Sequence, residues 1–154
     1  LKFLISWKGE TNDIIFPTLS WAGYLKDWEG PAPGQRPTGY IVILGDKEIS
    51  KDYFVDHGIA AQSMMLAAVE KGFGGCMIAA VDRDKLRKDL GIPERFDILL
   101  VLALGKPDEV VQIDEVSKDG DIRYWRDDNG IHHVPKRRAE EIMIWMDEDR
   151  AFQF

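Results

Sequence analysis

The stretch Asp56–Asp82 reads D-H-G-I-A-A-Q-S-M-M-L-A-A-V-E-K-G-F-G-G-C-M-I-A-A-V-D. Its first part predicts a helix over Asp56–Lys71, with Asp56 as N-cap and Gly72 just past the C-terminus. Apolar residues sit on nearly every side of that helix, a pattern of burial on most sides. A chain of 154 residues rarely hides a helix so fully, so a subunit interface is the expected second cover. The glycines Gly72, Gly74 and Gly75 follow, and then a strand of modest side chains, Cys76–Val81. Bare backbone there can come close to something flat.

Strands flank this segment. Leu1–Ser6 alternates and is β-rich. Gly39–Leu44 (G-Y-I-V-I-L) reads as a buried strand. Asp97–Leu104 (D-I-L-L-V-L-A-L) is almost continuously apolar, which predicts a central strand covered on both faces. Asp82 caps a helix over Arg83–Leu90 that stops at Gly91 before Pro93. A short helix interrupted by Pro17 is expected within Asp13–Lys26. Asp27–Pro37 is a Pro/Gly-dense loop. After Asp108 charges are frequent and strands short. Ile122–Trp125 and Ile131–Val134 flank the hairpin signal Asp127-Asp128-Asn129-Gly130, and Arg138–Ile144 forms a short helix. Strands and helices mix without a β-α-β rhythm, the pattern of an α+β domain.

Length fits one domain, 1–154. The chain opens at Leu1 inside an apolar run, so a segment is expected to precede it. The 145–154 tail carries Trp145, Met146, Phe152 and Phe154 among acids, and either docks on a partner subunit or frays. The net charge of −7 argues against nucleic acid as a partner. No apolar run approaches the roughly 18–20 residues of a membrane helix. Cys76 is the only cysteine, so no internal disulfide forms and the cytoplasm is the expected compartment.

Chemical motifs are sparse. There is no paired-cysteine metal signature, and His57, His132 and His133 lack the spacing of a helical metal pair. The adjacent His132 and His133 point to opposite sides of a strand, as surface or packing residues. No metal site is expected. Cys76, in small apolar company, reads as a buried, inert thiol. The glycine run follows a helix and opens a strand, the reverse of a dinucleotide-binding loop. Two readings of it stand: a tight crossing with positive φ, or a ligand contact. Lys136-Arg137-Arg138 is either a phosphate clamp or a solvated basic turn.

In order and spacing these pieces resemble the nitroreductase family of flavoenzymes. The matching motifs are the D-x-G-x-A-x-Q-x-x-x-L-A-A-x-x-x-G helix at Asp56–Gly72, G-G-C-x-I before Val81-Asp82, the L-x-x-x-L-G-I-P run at Leu86–Pro93, Leu104-Gly105-Lys106-Pro107, and V-P-K-R at Val134–Arg137. The resemblance covers Leu1 to Ile144. It implies a three-layer α/β/α sandwich with a mixed, largely antiparallel central sheet, and an intertwined homodimer that binds FMN at the subunit boundary.

By the same resemblance, Met77, Ile78, Ala79 and Ala80 face the isoalloxazine ring, with the backbone N–H near Ala79 reaching flavin N5. Lys136 and Arg138 hold the FMN phosphate, and Arg137 points away. The family's Arg-x-x-x-Arg helix and Ser/Asn turn would precede Leu1. Its long helical insertion has no counterpart, and the Trp21–Pro37 loop stands in as a lid. No catalytic side chain is expected, because the cofactor carries the chemistry. The implied activity passes a hydride from NAD(P)H through FMN to a nitroaromatic, quinone or similar small-molecule acceptor. The alternatives are a specialised flavin relative, such as a dehalogenase or dehydrogenase, a non-catalytic FMN-binding dimer, and a protein-interaction domain built on the tail.

Overall fold

The strand β4, Phe96–Gly105, organises the first part of the molecule. In this computed structural model, residues 1–146, 152 and 153 are described. Its ten residues, F-D-I-L-L-V-L-A-L-G, lie between β2 (Gly39–Asp46) and β3 (Gly74–Ile78) in a four-stranded sheet ordered β1-β2-β4-β3, with β1 at Lys2–Ser6. All three pairings are antiparallel. Val101, Leu102 and Ala103 are buried on both sides of the sheet, as the unbroken apolar run predicts. The β2–β4 register slips between Ile43 and Leu44: Ile43 faces Leu100 and Leu44 faces Ile98. Leu99 is therefore the extra residue of a bulge.

Helices cover the two faces. On one side lie α1 (Gly9–Ile15) and α3 (Arg83–Leu90). There Ile15 and Leu86 pack with Tyr40, Val42, Val101 and Ala103. On the other side lies α2, Asp56–Glu70, with Ala61 packed against Ile43, Leu100 and Leu102. The result is the expected α+β fold with helices on both faces of the sheet. A turn of 3-10 helix, Phe16–Thr18, follows α1 with Pro17 in its first turn. The expected Asp13–Lys26 helix is thus shifted toward the N-terminus. Proline lacks an N–H and its ring clashes with the preceding turn, so α1 ends before it.

Helix α3 follows its sequence signals. The Asp82 carboxylate accepts the Lys85 N–H at 3.0 Å, and Gly91 takes the left-handed conformation at φ 63°. Helix α2 departs from expectation twice. Asp56 is its first residue rather than its cap, a place taken by Val55 without a side-chain hydrogen bond. Only Ala61 is buried, while Ile59, Leu66 and Val69 are 62%, 62% and 61% exposed. Within this chain the helix covers the sheet with its small side and leaves its bulky side open.

The chain divides into two compact units: Leu1–Gly23 with Trp28–Asp108, and Tyr24–Asp27 with Glu109–Phe154. The second holds a three-stranded sheet ordered β5-β7-β6, from β5 (Val111–Glu115), β6 (Trp125–Arg126) and β7 (His132–Lys136). β5 and β7 run parallel, and β6 and β7 form a hairpin across the expected turn, but its strands are Trp125–Arg126 and His132–Lys136 rather than Ile122–Trp125 and Ile131–Val134. The helix α4 spans Ala139–Ile142, shorter than Arg138–Ile144. Two residues at each end of the tail pair as β8 (Trp145–Met146) and β9 (Phe152–Gln153). The expected docking of the 145–154 tail falls on a stretch whose middle and end lie outside the described residues. Among the described residues no helix is long and apolar enough to cross a membrane.

Candidate functional site

The glycines after α2 have separate structural tasks. Gly72 sits at φ 77°. Its N–H donates to Val69 O and that of Phe73 to Ala68 O, both at 2.9 Å, the pairing that closes a helix end through a left-handed residue. Gly75 lies tight on β4: a Cβ there would overlap the Ala103 carbonyl oxygen. A Cβ on Gly74 would stand 2.8 Å from the Pro107 ring. Of the two readings of the run, the geometry favours the crossing. The glycines turn the chain and let β3 close on β4.

Beyond them the backbone emerges. Ile78 is buried in the core, whereas Met77, Ala79 and Ala80 are exposed. β3 ends at Ile78, so the expected Cys76–Val81 strand is displaced toward the glycines. Cys76 is exposed, which corrects the expectation of a buried thiol. The physical reason is position: β3 is the last strand of its sheet, paired with β4 on one side. The turn after β3 is tied down on its inner side. Ala80 O accepts the Ser20 N–H at 2.9 Å, the Asp82 N–H donates to Thr18 O at 2.8 Å, and Val81 makes an antiparallel bridge to Leu19.

Sequence reasoning missed Arg83. Its guanidinium donates to four main-chain carbonyls: Ile98 O at 2.8 Å, Ala79 O at 3.2 Å, and Val81 O and Leu99 O at 3.4 Å. No local pattern announces this, because two acceptors lie fifteen and sixteen residues away. Arg95 was missed for the same reason. It grips the buried Asp46 carboxylate in a fork at 2.7 and 2.6 Å. Arg95 is the main cause holding the Asp46 carboxyl below its ordinary value of 3.8, with help from the Glu48 N–H.

A cleft of about 310 Å³ opens in the same unit between Trp7, Asn12, Arg36 and Tyr40. The Arg36 guanidinium lies 4.0 Å over the Phe16 ring. Burial pushes the Tyr40 phenol up to about 12. In the expected lid loop, Trp21 packs on Phe16 at 5.3 Å. Tyr24, in the second unit, meets Tyr124 edge-on at 4.9 Å.

The cations of the expected phosphate clamp belong to the second unit, and Met77–Ala80 to the first. Lys136 is exposed and ends β7. Arg138 precedes α4, with Nε 3.3 Å from Glu141 Oε1. The Arg137 guanidinium lies beside Gly120. His132 and His133 have different partners, as expected of opposite sides of a strand. His132 reaches Glu109 at 3.3 Å and meets Tyr124 edge-on. His133 reaches Asp114 at 2.6 Å and stacks on Trp125 at 4.8 Å. With Gln112 first and His133 second, these bonds hold the Asp114 carboxyl below its usual range. Among the described residues no group of three or more His, Cys, Asp or Glu is placed to hold a metal.

The family model described as "Nitroreductase family" matches residues 17–106, the span that carries β2, α2, β3, α3 and β4. The chain belongs to the nitroreductase family. A Vibrio harveyi NADPH-flavin oxidoreductase is 40% identical over 57 residues, 36% of this chain and 24% of the relative. The structure of an FMN-dependent nitroreductase from Clostridium difficile R20291 superposes with a TM-score of 0.53 at 23% identity, over 70% of this chain and 64% of that one. That of a nitroreductase family protein from Clostridium novyi NT gives 0.54 at 21% identity, over 91% and 73%. At these identities the two structures establish the fold. The chain spans about half or less of the curated relatives it matches, 47% of one and 24% of another.

Proposed function

We propose that this nitroreductase-family chain serves an FMN-dependent oxidoreductase that takes reducing equivalents from NAD(P)H and acts as a cytoplasmic homodimer. The observation that carries the reading is the emergence of small, exposed backbone at Ala79 and Ala80 directly after the buried Ile78. Residues without bulk let a flat ring come close, and the carbonyls there are already engaged inward. The segment therefore fits a ring held mainly by main chain.

When bound, FMN supplies hydride transfer between NAD(P)H and a conjugated acceptor such as a nitroaromatic or a quinone. The chain's own part is to bind and orient. Met77, Ile78, Ala79 and Ala80 form the ring-side segment, with the Ala79 N–H the donor toward N5. Lys136 and Arg138 neutralise the phosphate, and for Arg138 this means exchanging Glu141 for the ligand. The exposed side of α2, with Ile59, Leu66 and Val69, is where the second copy packs. A large apolar patch on a protein surface marks such a contact.

The full-length protein is expected to be yellow as purified, and to oxidise NADH or NADPH when a quinone is added. A colourless protein that takes up no added FMN overturns the proposal. Protein that binds FMN but leaves it oxidised under anaerobic NAD(P)H is a non-catalytic flavin binder instead. Lys136→Ala combined with Arg138→Ala is expected to weaken FMN while sparing riboflavin, which lacks the phosphate. Equal loss for both ligands removes these residues from the phosphate role.

A further inference from the structure

We infer that Arg83 is a positioning residue that fixes the main chain at Ala79–Val81 for the flavin ring. This inference rests on the flavin reading above and adds a residue to it. The bulge on β4 leaves Leu99 opposite no residue of β2, since Ile43 faces Leu100 and Leu44 faces Ile98. β3 gives this end of β4 no partner either, because its pairing stops at Ile78 with Val101. Carbonyls at Ile98 and Leu99 thus lie where the ladder is interrupted, and main-chain acceptors away from water need donors.

Arg83 supplies them, and in doing so joins two segments. Nε donates to Ile98 O at 2.8 Å and Nη2 to Leu99 O at 3.4 Å. The same Nη2 donates to Ala79 O at 3.2 Å, and Nη1 to Val81 O at 3.4 Å. A planar guanidinium with five fixed donors can span such a set, whereas a lysine ammonium is a point charge with three donors on a flexible stem. Arg83 is also the first residue of α3, whose cap Asp82 is held by Lys85 N–H. The ring-side turn is therefore braced between the bulge and a capped helix. The Ala79 carbonyl shares its peptide plane with the Ala80 N–H, so fixing it aims that N–H outward and restrains the turn next to the Ala79 N–H one plane back. Ligand contacts are as good as the shell that holds them.

The consequence separates Arg83 from the phosphate cations. Arg83 acts on the ring side, so its loss weakens FMN and riboflavin alike. The test uses the full-length protein and the variants Arg83→Lys and Arg83→Gln. Affinities for FMN and for riboflavin are measured by fluorescence quenching, and the flavin midpoint potential by equilibration with a reference dye. Arg83→Lys keeps the charge but cannot span the carbonyls. Both ligands are expected to bind roughly tenfold more weakly, the worth of one to two hydrogen bonds. The midpoint potential moves positive, because N5 accepts a hydrogen bond in the oxidised ring and carries its own N–H in the reduced one, so a donor on a poorly held turn costs the oxidised ring more.

Affinities and potential unchanged in both variants, in a protein that otherwise binds FMN, overturn the role of Arg83 alone. So does a loss confined to FMN, which points to the phosphate. An unaltered protein that takes up no FMN overturns the flavin reading and this inference with it. Should the variants not fold, hydrogen–deuterium exchange on the unaltered, flavin-free protein decides. Slow exchange of a peptide covering 79–82 supports a braced turn, and exchange as fast as an open loop overturns it.

Discussion

The two faces of the central sheet are built from the same strands but closed in different ways. On the α1/α3 face, Val42, Val101 and Ala103 are sealed by Leu86 and Ile15, both 0% exposed. On the α2 face, Ile43, Leu100 and Leu102 are sealed by Ala61 and partly buried Met64. The strands are about equally buried on both sides, so the difference lies in the helices. α3 spends its one large buried side chain on the sheet. α2 turns Ala61 and Met64 inward, while Val55, Ile59, Leu66 and Val69 recur at helical spacing on the side turned away. Edge-strand residues Phe3 and Ile5, paired with Ile43 and Ile41, extend the open apolar surface. One face is complete in itself, and the other carries a helix whose bulky apolar side stays open.

The comparison breaks most visibly under truncation of matched leucines. Leu86→Ala is expected to cost about 2–5 kcal/mol in urea denaturation, because the cavity has nowhere to collapse. Leu66→Ala, on the far more apolar helix α2, is expected to cost no more than about 0.5 kcal/mol in the dissociated chain. Equal costs would mean that α2 is covered within its own chain. A related substitution sharpens the point. Ile59→Glu with Leu66→Glu is expected to weaken self-association at least ~100-fold in sedimentation experiments while leaving far-UV circular dichroism unchanged. A dimer that survives both charges would place the contact elsewhere.

Charge marks the ends of the sheet more sharply than its faces. Arg95→Met strands the buried Asp46 carboxylate and is expected to lower the melting temperature near neutral pH more than removal of an exposed pair such as Arg123–Asp121. The folded-state pKa of Asp46 lies below its ordinary 3.8. The stability it contributes is therefore complete above 3.8 and is lost as pH falls through the lower, folded value. The gap in melting temperature between Arg95→Met and the unaltered protein should narrow across that acid window. A gap that stays constant would show that the ion pair is not its source.

What could be read from the residues follows the range of the interactions that place them. β2, β4 and α3 were legible because a run of β-branched and apolar residues, or an Asp…Gly punctuation, is a local signal. The exposure of α2 was half legible: apolarity all round predicts cover, but not whose. Cys76 was misread because burial on an edge strand depends on sheet order, which its neighbours do not encode. Arg83 and Arg95 were invisible because their partners are carbonyls and a carboxylate brought near by the fold. For the proposed site, Met77–Ala80 stood out as a run after the glycines, whereas the Arg83 hydrogen bonds to Ala79 and Ile98 gave no local signal.

A modest expected effect tests the proposed brace from its other end. Asp82 caps α3 through Lys85 N–H at 3.0 Å, and its own N–H donates to Thr18 O. Asp82→Ala removes the side-chain cap but keeps the main-chain bond. Loss of such a cap costs about 1 kcal/mol, and Asn, which caps as well, should restore most of it. On the completed face of the sheet this is a modest change, absorbed by the packing of Leu86. Arg83 grows from the first residue of the same helix, so a frayed first turn also loosens its grip on Ala79 and Leu99. Urea denaturation of the Ala and Asn variants, read beside riboflavin affinity, tells the two consequences apart. If Asp82→Ala lowers stability yet leaves riboflavin affinity untouched, the cap serves the helix alone, and the brace depends on the guanidinium rather than on the helix start that carries it.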